Sequence, residues 1–459
     1  MYTSMMRRAL LSGGYQGPEL WGSTRAGTML KDLASGADSL DIVLVGDSNT
    51  GSAVAGFWGY HNGISEYLNS QGYPIYGTSI CHVMNDWLLS TNTGGWRSSA
   101  FTVAATGNLK NGNTSGGGTS YAAWTPATNF TRYGQQTDSW AYINGGEHWS
   151  WNPTVYMLAT HPLHPAAGYS GNLRHRIRYG TFTSGGGYMR AAVREYGNPT
   201  NIATDSVTSA IGDAYSFSVR DYQFAPGSPT NQIEASPCAG NGTAGVSRGS
   251  LAIALHSQSI YAQRKGWAVT SHGYYSGYTS ESIGGFITGV SGASDTLLTT
   301  HMIELRTRQI AAGGSGRVLL WVHSGINGAV PTDESVTKWT TAHKNIWAEY
   351  KRVWAKLGYP SNDLAIVSFV GVQKNSGDTN NGGTDLAPIR AAAKTMASEQ
   401  GDMTVVHMPS IITYAELSGT PNYYQNQTSS DVHLSGGTSS TTDGYKLVAG
   451  RVIAKLITT

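Results

Sequence analysis

Charged side chains are scarce in this sequence. They make up 13% of its 459 residues, about half the share in an average soluble protein, and they leave a net charge of +2. A nearly neutral chain exerts no long-range attraction on nucleic acid or on an anionic membrane surface, so neither is an expected partner. The only two cysteines, Cys81 and Cys238, are too few for a disulfide scaffold or, by themselves, for a four-ligand zinc site.

Long hydrophobic runs are also missing. No stretch approaches the roughly 20 apolar residues that span a membrane. Near the start, Arg7 and Arg8 are followed by only three apolar residues, which is too few for the apolar region of a signal peptide. We therefore expect no membrane span and no conventional signal peptide.

Glycine and the larger aromatic residues are abundant instead. The chain has 59 glycines, 26 tyrosines and 13 tryptophans but only 8 phenylalanines. So many aromatic side chains exclude a disordered chain. This composition favours loop-rich β-structure whose aromatic rings face sugars, although a loop-rich β-protein without a ligand would have the same composition.

Two parts of the sequence alternate short apolar runs with helical patterns. The apolar runs, each typical of a buried parallel strand, are residues 41–45, 267–270, 318–322, 364–370 and 403–407. Apolar residues at helical spacing occupy residues 52–70, 295–311, 336–357, 386–400 and 443–457. Thr332 or Asp333 is expected to cap the third of these helices. Strands that alternate with helices predict a parallel sheet covered on both faces.

The sequence between these parts has a different character. Residues 81–170 are rich in Asn, Gly, Ser, Thr and Trp and show no period, whereas residues 171–265 alternate apolar and polar side chains. The alternation predicts antiparallel sheet, as in a β-sandwich. We therefore predict an N-terminal arm (1–38) and one α/β domain (39–80 plus 266–459) that is interrupted by a β-rich insertion (81–265).

The segment Gly46-Asp47-Ser48-Asn49 is the first candidate for chemistry. It follows the first predicted strand and precedes a helix, and open α/β sheets bind ligands at that end of their strands. The backbone N–H groups of a helix N-terminus can stabilise an oxyanion, so Ser48 is well placed as a nucleophile. Asp47 and Ser48 are also ordinary helix N-cap residues, and that role is the alternative.

Three further candidates lie near the ends of predicted elements. His433 precedes the last helix and could accept the serine proton while Asp431 fixes its tautomer; a solvated loop histidine is the alternative. Asn327 follows a predicted strand and can donate an N–H to an oxyanion, although Asn-Gly also forms simple turns. Gly277, or its rival Gly292, lets a backbone N–H approach a substrate closely.

In this chain order the motifs resemble the four sequence blocks of the SGNH (GDSL-like) hydrolase family. Gly46-Asp47-Ser48 matches the nucleophile block, and Ser276-Gly277-Tyr278-Thr279 resembles the glycine block. Gly325-Ile326-Asn327 matches the third block, and Asp431-Val432-His433 resembles the last. The resemblance covers about half of the chain. It implies a flavodoxin-like, three-layer parallel sheet and ester hydrolysis that needs no metal or cofactor.

The resemblance also implies a role for each candidate residue. Ser48 would attack the acyl carbonyl, and His433 would take its proton and later return it to the leaving alcohol. The Ser48 N–H, the Gly277 N–H and the Asn327 side chain would stabilise the oxyanion.

One position departs from the family pattern. The family places its aspartate three residues before the histidine, where Ser430 stands here, and Asp431 lies only two before His433. Either a tighter loop still lets Asp431 orient His433, or Ser48 and His433 act as a dyad with another orienting group. Reduced or lost activity is a third alternative.

The insertion indicates the class of substrate. Some polysaccharide deacetylases of the family carry a β-sandwich at this place, and the insertion resembles it. Flat tryptophan rings can stack on sugar rings, although each can equally support a Gly-rich loop. These candidates for substrate binding are Trp87, Trp96, Trp124, Trp140, Trp149 and Trp151.

The main hypothesis is therefore a serine esterase that removes O-acyl groups, above all O-acetyl groups, from a surface polysaccharide. The leading alternative is a non-catalytic carbohydrate-binding or virion structural protein on the same fold, and a lipase or other carboxylesterase is a third. His161, His164 and His175 resemble a zinc-ligand set in type, but they lack a structured frame, so no metal site is predicted.

The composition and the missing leader also suit a phage tail or capsid-surface protein. This interpretation predicts an extracellular or virion-surface location. It also predicts symmetric homo-oligomers, trimers above all for a tail protein, in contact with other virion proteins.

Overall fold

The computed structural model describes a set of ranges of the chain, to which the structural statements below refer. These residues are 15–16, 19–47, 49–50, 59–81, 103–106, 141–145, 154–157, 159, 161–180, 188–195, 198, 201–204, 208–209, 217–231, 233–240, 251–273, 279–290, 296–326, 334–371, 385–424, 434–435 and 443–459.

The strands of the described residues are numbered in chain order. They are β1 (Tyr15–Gln16), β2 (Leu20–Gly22), β3 (Leu40–Gly46), β4 (Gly77–Cys81), β5 (Val103–Thr106), β6 (Ala141–Gly145), β7 (Thr154–Met157), β8 (Leu173–Gly180), β9 (Tyr188–Glu195), β10 (Asn201–Thr204), β11 (Thr208–Ser209), β12 (Phe217–Phe224), β13 (Ile233–Gly240), β14 (Leu251–Tyr261), β15 (Trp267–Gly273), β16 (Val318–Ser324), β17 (Leu364–Val370) and β18 (Thr404–Val406).

The helices of the described residues are numbered in the same way. They are α1 (Arg25–Ala34), α2 (Tyr60–Ser70), α3 (Ser280–Val290), α4 (Thr296–Ala311), α5 (Val336–Lys356), α6 (Ala387–Gln400), α7 (Met408–Ile411), α8 (Tyr414–Ser418) and α9 (Gly444–Thr458), with short 3-10 helices at Pro165–Ala167 and Ser361–Asp363. None of the described helices is long and apolar enough to cross a membrane.

Five parallel strands form the centre of the largest sheet. Their order across the sheet is β15-β3-β16-β17-β18. Numbered by their sequence order among themselves, this is 2-1-3-4-5, the flavodoxin-like order. All five apolar runs of the sequence form these strands, so the predicted parallel sheet is confirmed. The topological switch point, where such sheets bind ligands, lies between the ends of β3 and β16.

Both faces of this sheet are buried, because successive side chains of a strand point to opposite faces. Ile42 and Leu44 of β3 belong to a hydrophobic cluster shared with α1, α2 and α9, whereas Val43 and Val45 belong to a second cluster shared with α3, α4, α5 and α6. The predicted three layers of helix, sheet and helix are therefore present.

The segment predicted as an N-terminal arm contributes to this sheet in its described part. β2 pairs antiparallel with β18, and β1 pairs antiparallel with β2. A Cβ on Gly22, whose φ is +91°, would collide with the carbonyl oxygen of Met403, so glycine permits this close pairing. The segment thus forms an edge of the sheet.

The described residues between β3 and β15 form two antiparallel sheets besides α2. One contains β12-β8-β14-β4, with β6 also paired to β14. The other contains β10-β9-β13-β7-β5, with β11 also paired to β9. Cys81 ends β4 in the first sheet, and Cys238 lies in β13 of the second. The antiparallel pairing agrees with the alternating sequence, whereas the β-sandwich and the predicted domain boundaries stay predictions.

Buried ion pairs join the first antiparallel sheet to α4. Glu304 of α4 accepts a hydrogen bond from Arg176 Nε at 2.6 Å and from Arg178 Nε at 3.0 Å, and Arg176 also contacts Asp221 at 2.9 Å. Burial acts to raise the pKa of Glu304, but the charges of Arg176 and Arg178 outweigh it, so the pKa is lowered. Removing one partner of a buried ion pair leaves an uncompensated charge, so the contact between α4 and the first antiparallel sheet needs both the carboxylate and the guanidiniums.

Candidate active site

The end of β3 turns sharply beside the end of β16. A Cβ on Gly46 would collide with the carbonyl oxygen of His323 and with the methyl group of Thr50, so only glycine fits there. The carboxylate Oδ1 of Asp47 then accepts hydrogen bonds from the backbone N–H of Asn49 at 2.9 Å and from its side-chain amide at 3.2 Å. The hydroxyl of Thr50 donates to the carbonyl oxygen of Asp47 at 2.6 Å. Local hydrogen bonds thus fix the residues on both sides of position 48.

A buried carboxylate and a buried imidazole meet next to this turn. His323 Nδ1 lies 3.4 Å from Asp47 Oδ1, and their side chains are 1% and 0% exposed. The ring of Tyr60 lies 4.9 Å from the imidazole, and burial, followed by the charge of Asp47, raises the pKa of its phenol well above the ordinary value. Tyr60 is therefore neutral, and the Asp47–His323 contact lies in the core of the protein.

The turn after β3 is attached to the start of α9. The hydroxyl of Tyr445 donates to Asn49 Oδ1 at 2.6 Å, and both residues are buried. Just before α9, the N–H of Gly444 donates to the carbonyl oxygen of Ser435 at 2.9 Å. Leu434 forms an isolated antiparallel bridge with Tyr424. The described residues next to positions 48 and 433 thus belong to one buried, hydrogen-bonded unit.

The predicted site residues themselves lie outside the described residues. They are Ser48, Gly277, Gly292, Asn327, Asp431, His433, Trp87, Trp96, Trp124, Trp140, Trp149 and Trp151. Their immediate neighbours are described at three places: Asp47 and Asn49 flank position 48, Ile326 precedes position 327, and Leu434 follows position 433. The catalytic and sugar-binding roles therefore stay predictions.

The three histidines considered as zinc ligands have other hydrogen bonds. Nδ1 of His161 accepts the N–H of Leu163, and Nδ1 of His164 accepts the N–H of Ala166, at 3.0 Å each. His175 meets side chains of the two strands that neighbour β8. No group of three or more His, Cys, Asp or Glu side chains is placed to hold a metal ion within the described ranges.

Several polar residues near the site were not singled out from the sequence. His323 and Ser324 directly follow the apolar run 318–322, and polar residues that end a buried parallel strand are a signal that could have revealed them.

The predicted N-cap of α5 is wrong. Ser335, not Thr332 or Asp333, is the N-cap residue, because its hydroxyl accepts the N–H of Lys338 at 3.1 Å.

This chain is similar to known proteins in its fold. No protein-family model matches the chain, and no curated protein matches its sequence. A solved structure of a peptidoglycan O-acetylesterase is similar over 95% of this chain and 96% of its own, with a TM-score of 0.53 and 14% sequence identity. At this identity the similarity shows a shared fold.

Two other solved structures match more weakly. A family two carbohydrate esterase from Clostridium thermocellum covers 69% of this chain and 98% of its own at 11% identity, with a TM-score of 0.23. A carbohydrate binding module of Cellvibrio mixtus lichenase 5A covers 31% of this chain and 86% of its own at 13% identity, with a TM-score of 0.18. The TM-score of 0.53 shows that this chain shares the overall fold of the peptidoglycan O-acetylesterase, an α/β architecture with a mainly parallel sheet.

Proposed function

We propose that this chain is a serine esterase of the SGNH type that removes O-acyl groups, above all O-acetyl groups, from a polysaccharide. The observation that carries the proposal is the hydrogen bond between Tyr445 and Asn49 at the switch point of the sheet. Asn49 directly follows the candidate nucleophile Ser48 in the sequence. The hydrogen bond therefore joins the residue next to the candidate nucleophile to α9, the helix that follows His433 in the sequence.

The proposed chemistry is acyl transfer through a covalent intermediate. Ser48 Oγ attacks the acyl carbonyl carbon while His433 takes its proton, and the proton then goes to the leaving sugar hydroxyl. Water attacks the acyl-enzyme, which releases the carboxylic acid and restores Ser48. The Ser48 N–H, the Asn327 amide and the N–H of Gly277, or of its rival Gly292, stabilise the oxyanion in both steps.

Acetate release is the experiment that tests this function. Purified chain is incubated with O-acetylated peptidoglycan and with acetylated xylan, and the Ser48→Ala variant is compared with Ser398→Ala, which alters an exposed serine of α6. We expect Ser48→Ala to reduce the rate about 10,000-fold or more, and Ser398→Ala to leave it unchanged. Equal acetate release by the wild type and Ser48→Ala would refute the proposal.

The orienting group of His433 is tested separately. In a triad, Asp431→Asn leaves the wrong tautomer and lowers kcat by about 10,000-fold. In a Ser48–His433 dyad, the same substitution changes kcat by less than about tenfold. The pH–rate profile of the two proteins distinguishes a catalytic effect from misfolding.

The substrate and setting complete the proposal. The insertion supplies the sugar-binding surface, and the protein acts outside the cell or on a virion as a homo-oligomer. The non-catalytic alternative predicts binding to the glycan without acetate release. Light scattering of the purified chain measures the oligomer, and mass spectrometry of purified particles tests the virion location.

A further inference from the structure

A chain of buried hydrogen bonds crosses the sheet face that α3 and α5 cover. Ser280 Oγ lies 2.6 Å from Ser324 Oγ, and Ser324 Oγ lies 2.7 Å from His343 Nε2. His343 Nδ1 makes a short hydrogen bond with Ser368 Oγ. All four side chains are at most 1% exposed. The chain therefore links the start of α3, the end of β16, the middle of α5 and β17.

A buried carboxylate closes the chain at its α3 end. Glu334 Oε2 accepts the backbone N–H of Ser280 at 3.0 Å, and the Ser280 hydroxyl also hydrogen-bonds to this carboxylate. Glu334 directly precedes Ser335, the N-cap residue of α5. The first residues of α3 and α5 are thus held together at one point.

The imidazole at the centre of the chain is held in one position and one charge state. Burial, followed by the charge of His323, lowers the pKa of His343 to about 3, so the ring is neutral at neutral pH. A neutral imidazole has one donor and one acceptor nitrogen, and here each nitrogen faces a serine hydroxyl. Trp339 stacks on the ring at a centroid distance of 3.9 Å.

We propose that His343 is a positioning residue of the site, because it fixes the Ser324 hydroxyl, through which the end of β16 bonds to the start of α3. This inference rests on the proposed esterase function, in which Gly277 lies three residues before Ser280 and Asn327 lies three residues after Ser324. Each proposed oxyanion donor is therefore three residues along the sequence from a serine of the hydrogen-bond chain. In this proposal His343 acts through its hydrogen bonds to Ser324 and Ser368.

The test compares two substitutions at one position with a control one turn along the same helix. His343→Leu removes both hydrogen bonds, whereas His343→Gln keeps one amide that both donates and accepts. Trp347→Phe removes a different buried donor of α5, the indole N–H that bonds to Asp402 at 2.7 Å. Loss of one oxyanion donor lowers kcat by about 100- to 1,000-fold, and misplacement by about 1 Å costs up to about 100-fold.

We expect His343→Leu to lower kcat by about 10- to 100-fold while KM changes less than about threefold. His343→Gln recovers part of the loss, and Trp347→Phe lowers the thermal midpoint without lowering kcat. Unchanged kcat in His343→Leu, with an active wild type, would overturn the inference. Equal loss of kcat in Trp347→Phe would overturn it as well, because a general loss of stability would then explain both.

Amide hydrogen exchange tests the same inference without turnover. In His343→Leu, we expect the amide hydrogens of peptides 271–283 and 318–330 both to exchange faster than in the wild type. In Trp347→Phe, we expect the exchange rates of both peptides to be unchanged. Independent or unchanged exchange in His343→Leu would contradict the coupling. This measurement distinguishes failure of the coupling from failure of the esterase proposal, since it applies equally to an inactive chain.

Discussion

Tyr445→Phe removes one oxygen atom from the contact between the β3 turn and α9. The phenol donates to Asn49 Oδ1 at 2.6 Å, and both side chains are at most 2% exposed. The ring also packs edge-on against Tyr60 at a centroid distance of 5.3 Å, a contact that phenylalanine keeps. The substitution therefore isolates the hydrogen bond.

The expected cost follows from the burial of the group that loses its donor. Asn49 Oδ1 loses its donor in the core, where water cannot replace it. A buried acceptor left unsatisfied lowers the free energy of unfolding by about 1–3 kcal/mol. The turn that carries Ser48 then loses its attachment to α9. We expect kcat for acetate release to fall about tenfold, with KM within about threefold of the wild type.

The assay pairs steady-state kinetics with the thermal midpoint. Tyr350→Phe is the matched control, since it removes a phenol oxygen that is equally buried but lies on α5, at the opposite face of the sheet. We expect the control to lower the thermal midpoint and to keep kcat. Wild-type kcat and thermal midpoint in Tyr445→Phe would refute the argument that this bond anchors the turn.

Two further predictions concern stability. Burial, then a hydrogen bond and charge repulsion from Asp443, raise the pKa of Glu66 to about 8, so the folded chain holds a proton that the unfolded chain loses above about pH 4.5. The stability contributed by Glu66 therefore falls as pH rises from 4.5 to 8, and we expect Glu66→Gln to raise the thermal midpoint at pH 8. A variant whose thermal midpoint depends on pH as the wild type's does would contradict this prediction. Glu304→Gln removes the carboxylate charge that Arg176 and Arg178 share, while Arg176 keeps its contact with Asp221. We expect the free energy of unfolding, measured by denaturant melting, to fall by about 3 kcal/mol. Because the pKa of Glu304 is lowered, the stability that its ion pairs contribute is present above about pH 4.5 and is lost in acid. A Glu304→Gln variant with the same free energy of unfolding as the wild type at pH 7 would refute the role of these ion pairs.

The parallel sheet could be predicted from sequence because each strand is a short apolar run buried on both faces. The runs at 41–45 and 364–370 became β3 and β17 with little change in their bounds. The edge formed by β1 and β2 could not be predicted in this way. Strands of two or three residues show no period, and β2 pairs with β18, a strand far away in the sequence.

In the candidate site, too, a local motif could be predicted from the sequence, whereas contacts between distant residues could not. Gly46-Asp47-Ser48 was recognisable because the motif is local and follows a strand end. The partners of His343 were not, because Ser324 and Ser368 are far apart in sequence and come close only through the register of β16 and β17. Ser280 then bonds to Ser324 from the start of α3. A serine within an apolar strand looks alike whether it binds an imidazole or a backbone carbonyl.

The identity of the nucleophile is the central claim, and covalent labelling by a fluorophosphonate tests it most directly. The Ser48 oxygen would displace fluoride from phosphorus while His433 takes the proton, as in acyl transfer. We predict one adduct per folded chain, located on Ser48 by peptide mass spectrometry and absent from Ser48→Ala. A folded wild-type chain that takes no adduct, or that carries it on another serine, would contradict the account.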